Sequence, residues 1–284
     1  MTIAEMIINL KMELDKTDAL DSVGFENEEL DYWLNSAIRT LTKTKYSGSG
    51  SGGAFEQNQK RIDDLRTLVY EDVITVTRGT LSTDKPNSYK ASLLSTSETY
   101  WFRVGEEVDI VYQSSTTAVA TLSGLTSGNY YLVSGTGTVT HGSAYVDGDY
   151  FLATGSTYSV SDSTTYVYPC TLKRQGITET TSDVYRQEID NPYSEHVFEN
   201  YKAKPLRIFK GSDVELITDG TYGIYNYYIK YIKKPIEVNS TTSQSSDMPE
   251  HMHDEIVKLA ANMILENIES QRYQTHTIET RKVE

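Results

Sequence analysis

Apolar side chains recur three or four positions apart near both ends of the chain, which is the spacing of one face of an α-helix. This pattern predicts four helices, over residues 2–16, 27–44, 55–69 and 249–270. The first helix begins with Thr2 and Glu5, a pair that can satisfy the free backbone amides of a helix N-terminus. Both ends of the chain are therefore expected to be helical.

The pattern changes to alternation in the middle of the chain, as is typical of β-strands with one buried face. The clearest alternating segments are residues 73–77, 107–112, 214–217 and 225–232. Because helices flank this stretch, we expect the first and last helices to pack together around it. The predicted fold class is α+β: a helical bundle formed by the N- and C-terminal helices, with a long antiparallel β-rich excursion between them.

Residues 113–169 form a compositional island in which Ser, Thr and Gly occupy about half of the positions. Its only charged side chains are those of Asp147, Asp149 and Asp162. The segment Gly128–Val133 is matched twenty residues later by the segment Gly148–Ala153. A strand–turn–strand unit used twice would produce this repeat. We therefore expect a small β-module inserted into a host domain.

These boundaries predict four parts: residues 1–70 with 245–275 as a helical domain, 71–112 with 170–244 as a β-rich domain, 113–169 as the inserted β-module, and 276–284 as a C-terminal tail. The Gly/Ser-rich segment 47–53 is expected to be a flexible loop. Such polar segments bury too little apolar surface to offset their lost entropy, so the loop and the tail could order only on assembly, which the sequence leaves open.

The chain is acidic, with 26 Lys and Arg residues against 40 Asp and Glu residues and a formal net charge of −14. Affinity for nucleic acid comes largely from Lys and Arg, so a general nucleic-acid-binding protein is a poor match. An acidic surface could instead line a channel through which DNA slides without being held. The single cysteine cannot form an intrachain disulfide. No run of about 18 apolar residues predicts a membrane anchor.

The histidines and the cysteine form no recognisable catalytic or metal-binding motif. His251 and His253 lie two positions apart, whereas ligands on one face of a helix need spacings of three or four. His141 and His196 are isolated, and no nucleophile or carboxylate motif accompanies either. Cys170 is most simply a buried small apolar residue. These residues therefore predict structural roles.

Two short segments resemble fragments of binding loops. Asp147-Gly148-Asp149 lacks the terminal Glu of a calcium loop and is most simply a hairpin turn. Gly135-Thr136-Gly137 lacks the Lys-Ser/Thr of a phosphate-binding loop. A solvated face is expected for the basic residues Lys202, Lys204, Arg207, Lys210, Lys233 and Lys234. The sequence thus assigns no catalytic, cofactor-binding or metal-binding residue, no cofactor and no enzymatic activity.

The inserted module is rich in aromatic residues, namely Tyr130, Tyr131, Tyr145, Tyr150, Phe151, Tyr158, Tyr166 and Tyr168. Alternate members are expected to form its core, while the others pair across strands. An exposed subset would offer a surface for carbohydrate or protein.

Six short segments carry a family resemblance: Phe25–Leu30, Leu34–Ile38, Asn191–Tyr193, Tyr231–Pro235, Met248–Glu250 and Ile256–Ala261. Together they resemble the head-to-tail connector (adaptor or ring) proteins of tailed phages, most of all those of crAss-like phages of Bacteroides-type hosts. The resemblance covers residues 1–112 and 170–275 and leaves out the inserted module.

The resemblance implies a non-enzymatic structural protein of the virion, made in the host cytoplasm and assembled beneath the portal. It implies a ring of twelve copies that contacts the portal protein and other connector or tail rings. Genomic DNA would pass through the ring without sequence-specific binding. A head-to-tail contact between copies closes into a ring only when the rotation from one copy to the next divides a full turn into equal parts.

The residues alone are also compatible with two other functions. The Tyr-rich module would suit a phage surface or fibre-type binding module that recognises glycans through residues 113–169. A hydrolase would need His141 or His196 as its base.

Overall fold

The computed structural model describes residues 1–17, 24–47, 59–80, 84–198 and 203–267. The chain divides into two compact units, residues 1–70 with 231–284 and residues 71–230. We call the first the helical unit and the second the β unit.

The helices of the described residues are α1 (Ile3–Thr17), α2 (Asn27–Ser47), α3 (Gln59–Leu65), α4 (Tyr185–Asp190) and α5 (His253–Asn267). The helices predicted over 2–16 and 27–44 are confirmed, and so is the part of the helix predicted over 249–270 that is described, although a 3-10 turn at Glu250–Met252 precedes α5 and residues 268–270 lie outside the described residues. Helix α3 is shorter than predicted, and residues 55–58 lie outside the described part of the chain. Helix α4 was missed because it is too short for a periodic pattern to show.

The start of α1 is capped by side chains that bond to free backbone amides. Thr2 N donates to Glu5 Oε2 over 2.7 Å, and Glu5 N donates to Thr2 Oγ1 over 3.3 Å. This reciprocal pair is the capping box that the sequence predicts. At the start of α2 a carboxylate also caps a backbone amide, since Glu26 N donates to Glu29 Oε2 over 3.2 Å.

Helix α5 packs against both α1 and α2 in the helical unit. Met6 and Leu10 of α1, Leu34 of α2 and Ile256 of α5 are completely buried. Because buried positions recur every three or four residues, each helix contributes one continuous apolar face. Residues from the two ends of the sequence therefore meet in one apolar interface.

The strands of the described residues are β1 (Val69–Thr75), β2 (Thr77–Arg78), β3 (Ser88–Ser92), β4 (Tyr100–Gln113), β5 (Tyr130–Ser134), β6 (Val139–His141), β7 (Ser143–Tyr145), β8 (Tyr150–Leu152), β9 (Ser159–Val160), β10 (Tyr166–Gln175), β11 (Thr178–Glu179), β12 (Leu206–Lys210), β13 (Asp213–Ile217) and β14 (Tyr222–Lys233). They form a six-stranded sheet in the order β1-β14-β4-β10-β5-β8, a five-stranded sheet β11-β12-β13-β3-β2 and a three-stranded sheet β7-β6-β9. Each predicted alternating segment overlaps one of these strands.

The predicted fold class, a helical bundle with one β-rich excursion, is wrong. Helices make up 28% of the structure and strands 33%, and the main sheet is antiparallel and curls into a half-barrel. The β unit is a folded body with its own core. The sequence pattern did not predict this separate core, because the strands that form it pair residues that are distant in the sequence. For example, Cys170 of β10 lies opposite Gln113 of β4.

The inserted module has an apolar core of its own, formed by Leu125, Tyr131, Val133, Val139, Phe151, Ala153 and Val167. The two copies of its sequence repeat lie side by side, since β5 pairs antiparallel with β8. Gly128 N donates to Ala153 O and Gly148 N donates to Val133 O, both over 2.8 Å. Both glycines have positive φ, 89° and 79°, which other residues rarely adopt. The repeat therefore builds a locally symmetric pair of strands.

Candidate functional site

His141 is half-buried in the inserted module, where both of its ring nitrogens are engaged. Nε2 accepts a hydrogen bond from Thr154 N over 2.9 Å, so Nδ1 carries the proton and donates to Thr157 O over 2.8 Å. The ring also packs near Phe151, with the two centroids 5.5 Å apart. A histidine held in this way connects loops and has no unoccupied nitrogen to act as a base.

His196 and Cys170 lie elsewhere in the β unit, and neither has the surroundings of a catalytic group. His196 is 3% exposed, and burial lowers the pKa of its imidazole, which is therefore neutral at pH 7. Burial also raises the pKa of the Cys170 thiol to about 12. The nucleophilic thiolate is consequently scarce at neutral pH. Both environments favour structural roles.

His251 and His253 lie in the helical unit and contact different partners. His251 Nε2 is 3.2 Å from Asp64 Oδ1, and the other oxygen of that carboxylate is 3.2 Å from Lys45 Nζ. His253 is 4% exposed, with its Nε2 3.1 Å from Met248 O. Across the described ranges, no group of three or more His, Cys, Asp or Glu side chains is arranged to hold a metal ion.

The segment Asp147-Gly148-Asp149 forms a turn whose carboxylates are used within the protein. Asp147 Oδ1 accepts from Gly135 N over 3.1 Å, and Asp149 Oδ2 accepts from the amide of Val146 over 2.8 Å. Arg78 of β2 reaches the same turn: its Nη1 donates to the Asp147 carbonyl over 2.6 Å and lies 3.8 Å from Asp149 Oδ1. Arg78 therefore ties the inserted module to the five-stranded sheet.

The prediction that the basic residues between 202 and 234 cover a solvated face is wrong for Arg207 and Lys233, which are 1% and 5% exposed. The guanidinium of Arg207 lies 3.2 Å from Glu106 and 2.6 Å from Glu179, and Lys233 lies 3.2 Å from Asp247. Buried charges need such partners, so neither side chain is available to DNA or to an acidic partner. Lys204, Lys210 and Lys234 are exposed, and Lys202 lies outside the described residues.

The aromatic residues of the inserted module divide between a buried core and partly exposed positions. Tyr131 and Phe151 belong to its buried core, and Tyr145 and Tyr158 pack against that core. Tyr166 is 50% exposed. For these residues the prediction that alternate aromatic side chains build the core is confirmed.

A cleft of about 370 Å³ lies in the β unit between the inserted module and the surrounding strands. Ten of its lining side chains are polar or aromatic: Arg78, Asn87, Tyr89, Gln113, Ser134, Asp147, Tyr150, Thr218, Thr221 and Tyr222. The module contributes Tyr150 together with Gly148 and residues 132–134. Because the lining comes from separate strands and their adjoining loops, folding alone assembles this cleft.

The phenol groups of the cleft are held in their neutral form. Burial raises the pKa of Tyr89 to about 12 and also raises the pKa values of Tyr150 and Tyr222. Tyr222 Oη donates to the carbonyl of His196 over 3.0 Å. The Tyr150 hydroxyl has no hydrogen-bond partner among the described residues. It is therefore a polar group left open to a ligand.

Gly223 of β14 sets the position of Tyr150. A Cβ at residue 223 would overlap the Tyr150 ring and would come within 2.7 Å of Tyr89 Oη. Glycine is needed here because a module side chain approaches the strand backbone closely. This contact fixes one wall of the cleft.

Sequence patterns indicated Asp147, Gly148 and Tyr150 of this lining, but not Arg78, Asn87, Tyr89 and Gln113. These four residues share no spacing or local motif, because they lie on segments that meet only in the folded sheet. A local pattern could not have identified them.

Comparison with known proteins assigns no family to the chain. No protein-family model matches it, and no curated protein shows significant similarity to it. None of the helices in the described ranges combines the length and apolar character that a membrane crossing requires. Any functional proposal therefore rests on the residues and geometry of the chain itself.

Proposed function

We propose that this chain is a structural protein of a tailed-phage virion, a head-to-tail connector that assembles beneath the portal and forms part of the DNA channel between capsid and tail. Its partners are the portal protein, other connector or tail rings, and copies of itself in a ring. The observation that carries the proposal is the packing of α1 and α2 against α5, because it brings the resembling segments of α2 next to the resembling segment Ile256–Ala261 of α5.

Hydrogen bonds between these distant segments support the same argument. Asn35 Nδ2 donates to Val238 O over 2.9 Å, and Val238 N donates to Asn35 Oδ1 over 2.8 Å. Asp31 Oδ2 accepts from both the amide and the hydroxyl of Ser240, each over 2.7 Å. Asn35 lies in the N-terminal resembling segments, and Val238 closely follows one of the C-terminal ones. Five of the six resembling segments thus belong to the helical unit, whereas Asn191–Tyr193 lies in the β unit.

The charge of the chain is compatible with a DNA channel. The formal net charge is −14, and the basic groups of Arg207 and Lys233 are paired inside the protein. Because acidic side chains outnumber basic ones by 40 to 26, DNA could move past the protein without being retained.

Electron cryomicroscopy of purified virions of the source phage tests the proposal. We expect a closed ring of copies around the portal axis, twelve in number, with α1 packed on α5 in each copy. Mass spectrometry of the same particles should detect the chain alongside the portal protein. Complete particles that contain the portal and lack this chain would contradict the proposal.

The second candidate is a phage surface or fibre-type module that recognises glycans through residues 113–169. The cleft beside the module favours it, whereas the burial of Tyr131 and Phe151 removes two of its aromatic residues from contact with a ligand. Labelling of intact particles with an antibody against the chain distinguishes the two candidates. Label at fibre tips would support the second candidate, and label at the portal vertex would support the first.

A further inference from the structure

The cleft beside the inserted module has the dimensions of a small-molecule site. Its volume of about 370 Å³ falls within the roughly 300–1,000 Å³ that ligand pockets usually occupy. Its walls combine Tyr150 of the module with Asn87 and Gln113 of the surrounding strands. A ligand in the cleft would therefore contact both the module and its host sheets.

The side chains of the cleft both donate and accept hydrogen bonds. Each carboxamide offers one oxygen acceptor and two N–H donors, and each phenol offers a hydroxyl that does both. Gln113 Nε2 donates to Ser115 O over 2.8 Å, which leaves its Oε1 without a partner among the described residues. The Tyr150 hydroxyl is also open. Ligand hydroxyls, which donate and accept as well, are matched partners for such groups.

The cleft offers no unpaired cation to a ligand, and its lining includes the acidic side chain of Asp147. Arg78 is the basic residue of the described lining, and its guanidinium bonds to the Asp147 carbonyl and faces the Asp149 carboxylate 3.8 Å away. Burial keeps the three phenols protonated, since it raises the pKa of each. An anionic ligand would lose its hydration without gaining an unpaired cation, and the Asp147 carboxylate would repel it.

We propose that this cleft binds a neutral saccharide of one or two sugar units, with the Gln113 carboxamide and the Tyr150 hydroxyl bonding to sugar hydroxyls. The half-buried ring of Tyr150 supplies apolar surface suited to the C–H face of a sugar, whereas Tyr89 and Tyr222 are buried. The proposal does not depend on the connector function, because it concerns binding by the isolated chain. Failure of either proposal leaves the other standing.

Saturation-transfer NMR with the purified full-length chain tests this proposal. The neutral probes are the methyl glycosides of glucose, galactose and mannose, N-acetylglucosamine, maltose, cellobiose and lactose. Glucuronate and inorganic phosphate are the charged comparisons. We expect at least one neutral probe to bind, and to bind more tightly than either charged compound.

Two variants locate the binding site. Tyr150→Phe removes one hydroxyl and should raise the Kd of the bound probe about 2- to 10-fold, as the loss of one hydrogen bond does. Gln113→Ala should raise the Kd by a similar factor. The matched control is Tyr166→Phe, which removes a hydroxyl from a 50% exposed residue outside the lining and should leave the Kd unchanged.

Three results would overturn the proposal: no neutral probe receives saturation transfer, a charged comparison binds more tightly than every neutral probe, or both cleft variants bind as tightly as Tyr166→Phe. Thermal unfolding of each variant checks that it is folded. If Tyr150→Phe does not fold, the Kd of Gln113→Ala decides the question.

Discussion

The contact among the three long helices of the helical unit and the contact between the two larger sheets of the β unit use different side chains. Helices α1, α2 and α5 meet through apolar residues such as Met6, Leu10 and Leu34, which are completely buried. The β unit buries charged residues between its strands, including Asp109 and Arg207 at 3% and 1% exposure. Apolar contact is not directional, whereas a buried charge needs a particular partner at short distance. The two units should therefore respond differently to single substitutions.

Arg207 illustrates the arrangement in the β unit. Its Nη1 lies 3.2 Å from Glu106 Oε1, and the other oxygen of that carboxylate accepts from Tyr227 Oη over 2.8 Å. Arg103 donates to Glu106 over 2.6 Å and to Glu179 over 3.0 Å. These residues come from β4 and β14 of the six-stranded sheet and from β11 and β12 of the five-stranded sheet. The network therefore joins the two sheets.

The largest effect is expected for Arg207→Ala. It should lower the free energy of unfolding by about 3–5 kcal/mol, because Glu106 stays buried and loses a partner. Chemical denaturation followed by circular dichroism measures this change. The control is Lys204→Ala, which removes an exposed pair with Glu195 at 3.0 Å and should cost less than about 1 kcal/mol. Equal losses in the two variants would show that the buried network does not hold the β unit.

A somewhat smaller effect is expected for Leu10→Ala in the helical unit. It should cost about 2–5 kcal/mol, since it leaves a cavity between α1 and α5. Ile8→Ala, at a residue of the same helix that is 57% exposed, should change stability by about 0.5 kcal/mol or less. Hydrogen exchange should show faster exchange in α1 and α5 for Leu10→Ala alone. Similar exchange in both variants would contradict the apolar interface.

The smallest effect is expected from acidification, to which each unit contributes a buried histidine. Burial lowers the pKa of His253 in the helical unit and of His196 in the β unit from the ordinary value of 6.5. The unfolded chain then binds these protons more readily than the folded chain. Their stabilising contribution is complete above about pH 6.5 and is lost as the pH falls through the folded pKa values.

Denaturant titrations between about pH 8 and about pH 5 measure this dependence. His253→Gln and His196→Gln should each show a shallower fall in unfolding free energy than the unmodified chain. Hydrogen exchange assigns each change to its unit. A variant whose stability falls as steeply as that of the unmodified chain would show that its histidine does not contribute.

Local patterns predicted the elements of the helical unit well and the arrangement of the β unit poorly. The spacing of Met6 and Leu10 and the capping pair Thr2 and Glu5 depend on residues within about one helical turn. The position of Cys170 opposite Gln113 depends on residues far apart in the sequence. The fold class was therefore wrong although the individual helices and strands were largely found.

The candidate site, like the β unit, depends on contacts between residues that are distant in sequence. Tyr150 was noticed because it belongs to a repeat, but the sequence did not indicate that the two copies of the repeat pair with each other. The solvated face predicted for Arg207 is wrong because a charged residue is expected at the surface unless its partners are known. The carboxylates that make its burial possible lie on β4 and β11, which no local pattern connects to β12.

By itself, the sequence determined where the helices of both ends begin and where glycine permits a turn, because these properties depend on interactions between close neighbours in the chain. The tertiary structure alone decided which strands pair, which charges are buried and which side chains surround the cleft. Strand pairing, charge burial and the cleft lining each require groups that are distant in sequence to lie within bonding distance. The spacing of residues along the chain does not specify those distances.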